Sequence, residues 1–121
     1  MREWRRALIV AALVWSGGPA MSMPAMPEIS DLAGEWMIAE GTHACRLTLT
    51  ARPLGRDLAV EADPSCLAGI GLSGVVAWRP ASDGIGLAGA GGRTIAFLSR
   101  RPDGTHGLSR PGRSSLVMTR R

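Results

Sequence analysis

Two hydrophobic patterns divide the chain. Ala7 through Trp15 is one unbroken apolar run of nine residues. From Glu35 onward, apolar residues alternate with polar ones, the period of a strand with one buried face. Between the two, Met21 to Pro27 has no period and carries Pro24 and Pro27, so it reads as an extended arm. Ser30 is placed to cap one helical turn over Asp31, Leu32 and Ala33, before Gly34.

The alternation predicts eight strands. Glu35 to Ala39 opens the first, and Gly41-Thr42 turns the chain. Ala44 to Thr50 puts Cys45, Leu47 and Leu49 on one face and Arg46, Thr48 and Thr50 on the other. Pro53 to Gly55 is a turn, and Asp57 to Glu61 follows with Leu58 and Val60 inward. Pro64 to Gly74 is an irregular crossing. Val75 to Arg79 is the fourth strand, with Val76 and Trp78 on one face. Pro80 to Gly84 turns, and its Asp83-Gly84 is the strongest hairpin signal in the chain. Ile85 and Leu87 mark the fifth strand, and Ala90 to Gly92 turns. Thr94 to Ser99 is the sixth, with Ile95 and Phe97 inward. Pro102 to Gly104 turns into a weak seventh over Thr105 to Ser109. Pro111-Gly112 turns into the eighth, Ser114 to Thr119, with Leu116 and Met118 inward.

Short strands about 8–12 residues apart with turn chemistry between them predict an all-β sandwich or barrel. Eight antiparallel strands in a short chain suit a small up-and-down barrel. Its interior is filled by side chains or holds one small ligand. Closure also removes the exposed sheet edges that promote aggregation.

The early apolar run changes the picture of where the chain works. Arg2, Arg5 and Arg6 precede it, and Ser16 to Pro19 break it. It is far shorter than the roughly 20 residues that span a bilayer. Residues 1–20 therefore read as a signal peptide, with small residues Gly18 and Ala20 placing the cut after Ala20. Cuts after Met21 or Ala25 are alternatives. The division expected is 1–20 signal peptide, 21–33 arm and short helical turn, and 34–121 barrel. Export follows, with no stable membrane anchor expected, because no cysteine near the cut can accept a lipid.

The chain has 121 residues, enough for one domain. All 14 basic residues are arginine; lysine is absent. The leader holds three arginines and one glutamate, so its removal lowers the formal charge from +4 to +2. The remaining arginines are scattered, and Trp36, Trp78 and Phe97 are the only aromatics beyond the leader. Nucleic-acid binding needs a basic stripe with stacking aromatics, so no nucleic-acid partner is expected. Two cysteines in an exported chain most simply form one disulfide, Cys45–Cys66. Two free thiols are the alternative. A zinc site of the chain's own would need more ligands than these cysteines, His43 and His106 bring together.

Two G-x-G-x-x-G matches, Gly69 to Gly74 and Gly84 to Gly89, lack the following helix that a dinucleotide site needs. They read as turns, and no cofactor is expected. There is no G-x-S-x-G, the carboxylates show no acid–base pairing, and His43 and His106 read as turn or surface residues. The chain is therefore not expected to be an enzyme. Gly34-Glu35-Trp36 is more informative. A G-x-W opening the first strand is typical of lipocalin-like barrels, where the Trp closes one end.

The motifs taken together are more specific. Asp31-Leu32-Ala33-Gly34-Glu35-Trp36 resembles the opening of the bacterial alkaline-proteinase (serralysin) inhibitors. Cys45 and Cys66-Leu67 sit where that family has its single disulfide. Trp78-Arg79-Pro80-Ala81-Ser82-Asp83-Gly84-Ile85-Gly86-Leu87 is similar to its W-R-P hairpin, and Gly92 to Arg100 to its A-F-F-S-R strand. A related domain occurs in outer-membrane lipoproteins of alpha-proteobacteria. The resemblance implies an eight-stranded barrel whose N-terminal trunk enters the active-site cleft of a secreted zinc metalloprotease. The arm residues are then Met21, Ser22, Met23, Pro24, Ala25 and Met26. Met21 or Ser22, whichever leads the mature chain, approaches the protease's zinc. The inhibitor would be a periplasmic monomer that protects its own cell. The barrel core expected is Trp36, Leu47, Leu49, Trp78 and Phe97. Two other functions remain as alternatives. A lipocalin-like small-ligand binder would show a visible cavity. An envelope-associated domain inhibiting other protease classes would keep its inhibition without the arm.

Overall fold

A computed structural model of the chain describes residues 25–121. The proposed signal peptide and the arm residues Met21, Ser22, Met23 and Pro24 lie outside the described residues. Ala25 to Glu28 lead without regular structure into a one-turn helix, α1 (Ile29–Leu32). Eight strands follow: β1 (Gly34–Glu40), β2 (His43–Leu54), β3 (Asp57–Ala62), β4 (Ala77–Ala81), β5 (Gly84–Ala88), β6 (Thr94–Arg100), β7 (His106–Arg110) and β8 (Arg113–Arg120). A second helix, α2 (Pro64–Gly69), lies between β3 and β4. Each strand pairs with its chain neighbour, and β8 returns to β1, so the sheet is a closed antiparallel up-and-down barrel. The expected fold class holds.

Inward residues come from alternate positions of each strand, as a pleated sheet requires. Ile38, Leu49, Trp78, Ile85, Leu98 and Leu116 are fully buried. Trp78 meets the polar need of its indole by donating to the Thr50 carbonyl at 2.9 Å. The expected core residues Trp36, Leu47, Leu49 and Trp78 are all buried.

Phe97 is the exception, and the phase of the sixth strand is corrected. Ala96 and Leu98 point inward; Phe97 is half-buried on the outer wall and Ile95 is exposed. The reason lies on the neighbouring strand. Gly86 is opposite Phe97, and the Phe97 ring covers Gly84, whose added Cβ would lie 2.7 Å from Cζ. With Ile85 and Leu87 inward, β5 shows bare glycine backbone outside, and the aromatic ring covers it.

Three other boundaries shift. Pro53 and Leu54 belong to β2, beyond a register irregularity that starts at Leu49, and the turn shrinks to Gly55-Arg56. Pro80 and Ala81 continue β4, leaving Ser82-Asp83 as the turn. The β3–β4 ladder ends at Trp78, so the missing amide of Pro80 lies past it. Val76 precedes β4 and is exposed rather than sharing the face of Trp78. The irregular crossing contains α2, capped by the Asp63 carboxylate accepting from the Ser65 amide at 2.9 Å, with Pro64 in the first helical position.

Candidate functional site

The two ends of the barrel differ, and each is closed by its own device. At the end where β1 begins, Trp36 is buried beneath α1 and its indole Nε1 donates to the Leu32 carbonyl at 2.8 Å. Arg120, at the end of β8, lies opposite Trp36 in the β1–β8 register. Its guanidinium sits over the Trp36 ring, 4.6 Å from the centroid. The same group donates to the carbonyls of Ala33 at 2.9 Å and Leu32 at 3.5 Å, and also to that of Asp31. Three consecutive carbonyls at the end of α1 thus converge on one cation. These are the groups a helix leaves without partners at its C-terminus. Gly34 permits the approach. Its φ is 128°, and an added Cβ would lie 3.2 Å from Arg120 Nη1.

Under Trp36 lies His106 of β7, edge-on, with ring centroids 5.4 Å apart. His106 is buried and its Nδ1 has no hydrogen-bond partner among the described residues. Burial, with Arg100 and Arg120 nearby, holds its pKa below the usual histidine value. The expectation of a surface or turn histidine is corrected here: the closing of β8 on β1 brings Trp36 over the ring and buries it.

At the other end, Leu67 of α2 and the following Ile70, Leu72 and Val75 are buried in the same core as the barrel residues. They plug that mouth. The Cys45–Cys66 disulfide fastens α2 to β2, with Cα atoms 5.9 Å apart. Arg110 adds a second tie, donating to the Ile70 carbonyl at 2.8 Å and pairing with Glu40 at 2.5 Å. Arg113 reaches the other oxygen of Glu40 at 2.8 Å. The Arg113 hydrogen bond leads the effects that hold the Glu40 carboxyl below its ordinary pKa. Gly71 makes room for this pair, since a Cβ there would lie 2.5 Å from Arg113 Nη1.

A surface cleft of about 530 Å³ lies on the outer wall, between the β2–β3 turn and the loop Gly89–Gly92. Trp78 points inward, so Ala77 and Arg79 face this cleft from outside. Arg79 is committed within it. It pairs with Asp57 at 2.8 and 3.0 Å and donates to Thr94 Oγ1 at 2.9 Å and the Gly92 carbonyl at 2.5 Å. The tie fixes the β5–β6 loop over β4 rather than presenting a free cation.

These placements define what the molecule can do. Side chains fill the barrel, and both mouths are shut, so the interior does not offer the entry a carried ligand needs. Among the described arm residues, Ala25 and Met26 are exposed, Met26 at 61%. They lead directly into the turn gripped by Trp36 and Arg120. Sequence reasoning found the disulfide and Trp36. It missed Arg120, His106 and the Glu40–Arg110–Arg113 group. Nothing in the local pattern marks one arginine among 14 as the clamp.

A narrow, filled, disulfide-tied up-and-down barrel defines the structural class. Comparison with known proteins identifies the family. Residues 26–120 match the model of the family described as "Protease inhibitor Inh", and the chain belongs to that family of proteinase inhibitors. It is 33% identical over 101 residues to a proteinase inhibitor of Dickeya chrysanthemi, covering 81% of this chain and 84% of the relative. It is 31% identical over 119 residues to an alkaline proteinase inhibitor of Yersinia ruckeri, covering 94% and 95%. A solved structure, an inhibitor of a psychrophilic marine protease MP, superposes with a TM-score of 0.65 at 29% identity. That match covers 78% of this chain and all of the other. The protein is accordingly an inhibitor and not an enzyme.

Proposed function

We propose that the protein inhibits a secreted zinc metalloprotease of the serralysin type, from the periplasm, by laying its N-terminal arm into the protease's active-site cleft. The observation that carries this reading is the anchored root. An exposed, proline-bearing segment enters the fold through a turn held by Trp36 and Arg120. A catalytic zinc keeps one position open for water. A free α-amine, with a pKa near 7.7–8, can lose its proton and take that position. Pro24 and Pro27 restrict the arm towards polyproline II, which lowers the ordering cost on binding. They also remove two amide donors from a segment that a protease would otherwise grip as substrate. The barrel acts as a stop that limits how far the arm enters.

The absence of lysine gives a clean test. In a mature chain beginning at Met21, the α-amine is the single primary amine. Acetylation with an amine-selective reagent therefore modifies that atom alone. Inhibition of a serralysin-type protease should be lost in the acetylated chain and in one shortened to begin at Met26. Full inhibition by the acetylated chain refutes the contact with zinc. Full inhibition by the shortened chain refutes the arm altogether and moves the contact to the barrel. Fractionation of producing cells, with the mature N-terminus read by mass spectrometry, tests the periplasmic location.

A further inference from the structure

The barrel does not need the Arg120 guanidinium in order to close. The β1–β8 ladder runs through five pairs, from Trp36 with Arg120 to Glu40 with Leu116. Those are backbone pairs. The side chain instead turns away from the ladder and spends its donors on Asp31, Leu32 and Ala33. A helix of four residues has no stability of its own, because nucleation is unfavourable and almost no propagation follows. Its internal bonding is slight: the Asp31 amide donates to the Glu28 carbonyl at 3.0 Å and the Ala33 amide to Ile29 at 2.8 Å. At the N-terminal side, the Glu28 amide donates to the Asp31 carboxylate at 3.1 Å. α1 therefore takes its direction from the buried Leu32 side chain and from whatever holds its carbonyl end. Two groups do so, the Trp36 indole on one carbonyl and the Arg120 guanidinium on three.

We propose that Arg120 is a positioning residue for inhibition: it fixes the axis of α1 and so aims the arm that precedes it. The inference rests on the arm reading above. On that reading leverage makes the direction matter. Eight extended residues reach about 25 Å at 3.1 Å each, so a 10° change at the root moves the tip by about 4 Å. Such an error exceeds the tolerance of a group that must meet one metal position. The planar fork suits this task, since it bonds neighbouring acceptors while its Cζ sits 4.6 Å from the indole centroid. An ammonium at the same place has no planar fork to spread over neighbouring carbonyls. Arg121 lies next in the chain and makes no such contact through its side chain among the described residues, which makes it the natural control.

The test compares Arg120→Ala, Arg120→Lys and Arg121→Ala in two chain lengths, beginning at Met21 and at Met26. The inhibition constant against a serralysin-type protease, the melting temperature and amide exchange at Asp31 and Ala33 are measured for each. In the long chain, Arg120→Ala should weaken inhibition by about tenfold, the scale of one residue returned to disorder. Arg120→Lys should fall between, and Arg121→Ala should match the parent. Exchange at Asp31 and Ala33 should quicken while the strands stay protected. In the short chain, the residual inhibition that the barrel alone provides should change by less than about twofold in Arg120→Ala. An unchanged inhibition constant in the long chain overturns the proposal. So does equal weakening at both lengths, which would mean direct contact with the protease or general damage to the barrel. If Arg120→Ala fails to fold, a fully folded Arg120→Lys with parental inhibition overturns it equally. Shortening the chain with no effect on inhibition identifies failure of the arm reading itself.

Discussion

Reducing the Cys45–Cys66 bridge should lower the melting temperature by about 12 to 24 °C, a figure that follows from the loop it closes. The two cysteines are 21 positions apart, and the loop runs through β2, β3 and into α2. Cross-linking a loop of that length removes chain entropy worth about 3 kcal/mol from the unfolded state. A domain of about 100 residues shifts its melting point by about 4–8 °C for each kcal/mol. Native packing gives no reason to expect less. Cys45 is buried, and Cys66 sits half-buried against the core beside Leu67. Opening the bridge also frees α2, so the plug formed by Leu67, Ile70 and Leu72 keeps only Arg110 and its own packing. The assay is a thermal melt by circular dichroism of oxidised protein, reduced protein and the Cys45→Ala/Cys66→Ala double variant. Both broken forms should melt early, the double variant lowest because it also loses buried sulfur. A shift below about 5 °C in both would refute the loop-entropy reasoning. It would mean that the plug and the Glu40 group already constrain the same segment. The bridge lies four positions along β1 from the arm root, where Ile38 faces Cys45, so the α1 amides should keep their exchange rates below the melting point.

Three further outcomes follow from particular contacts. Leu98→Ala should destabilise by about 2–5 kcal/mol and Ile95→Ala by about 1 kcal/mol or less, because Leu98 is buried and Ile95 is exposed; denaturant titrations giving the reverse order would overturn the inward phase of β6. Gly84→Ala should cost about 1–3 kcal/mol, since its Cβ would lie 2.3 Å from the Leu98 carbonyl oxygen, while Gly91→Ala, with open space around it, should be close to neutral; equal melting points for the two would refute the close-packing argument. Because His106 titrates below 6.5 in the folded protein, the unfolded chain binds a proton that the folded chain resists. Its contribution is full above about pH 6.5 and is lost as pH falls through the lowered folded value. Urea titrations between pH 7.5 and 5.5 should show the decline, and His106→Leu should flatten it. Glu40 and Asp57, both held below their ordinary values of 4.5 and 3.8, lose their contributions only at lower pH. An undiminished decline in His106→Leu would assign the effect elsewhere.

The sequence by itself determined the count and order of the strands and roughly where each turn falls. Alternation such as Cys45, Leu47 and Leu49 needs no partner to be read, because successive side chains of a strand point to opposite faces. Gly41-Thr42 and Pro111-Gly112 break the chain for reasons local to their own backbones, each with its glycine at positive φ. The helix α2 is a correction: Asp63-Pro64-Ser65 carries a local cap signal, but the glycines that follow favour a reading as irregular chain. Where both alternate sets are apolar, local pattern has no power. In Thr94 to Ser99, Ile95 with Phe97 and Ala96 with Leu98 are equally good inward pairs. Only the bare glycines of β5 decide that the ring goes outside. The arm root shows the same limit more sharply. Arg120 and Asp31 are 89 positions apart, and nothing in either neighbourhood couples them. Closure of β8 on β1 brings the guanidinium to the carbonyl end of α1, and the same closure buries His106 under Trp36. A long-range contact of this kind is a property of the closed sheet, which is why the tertiary structure alone decided it.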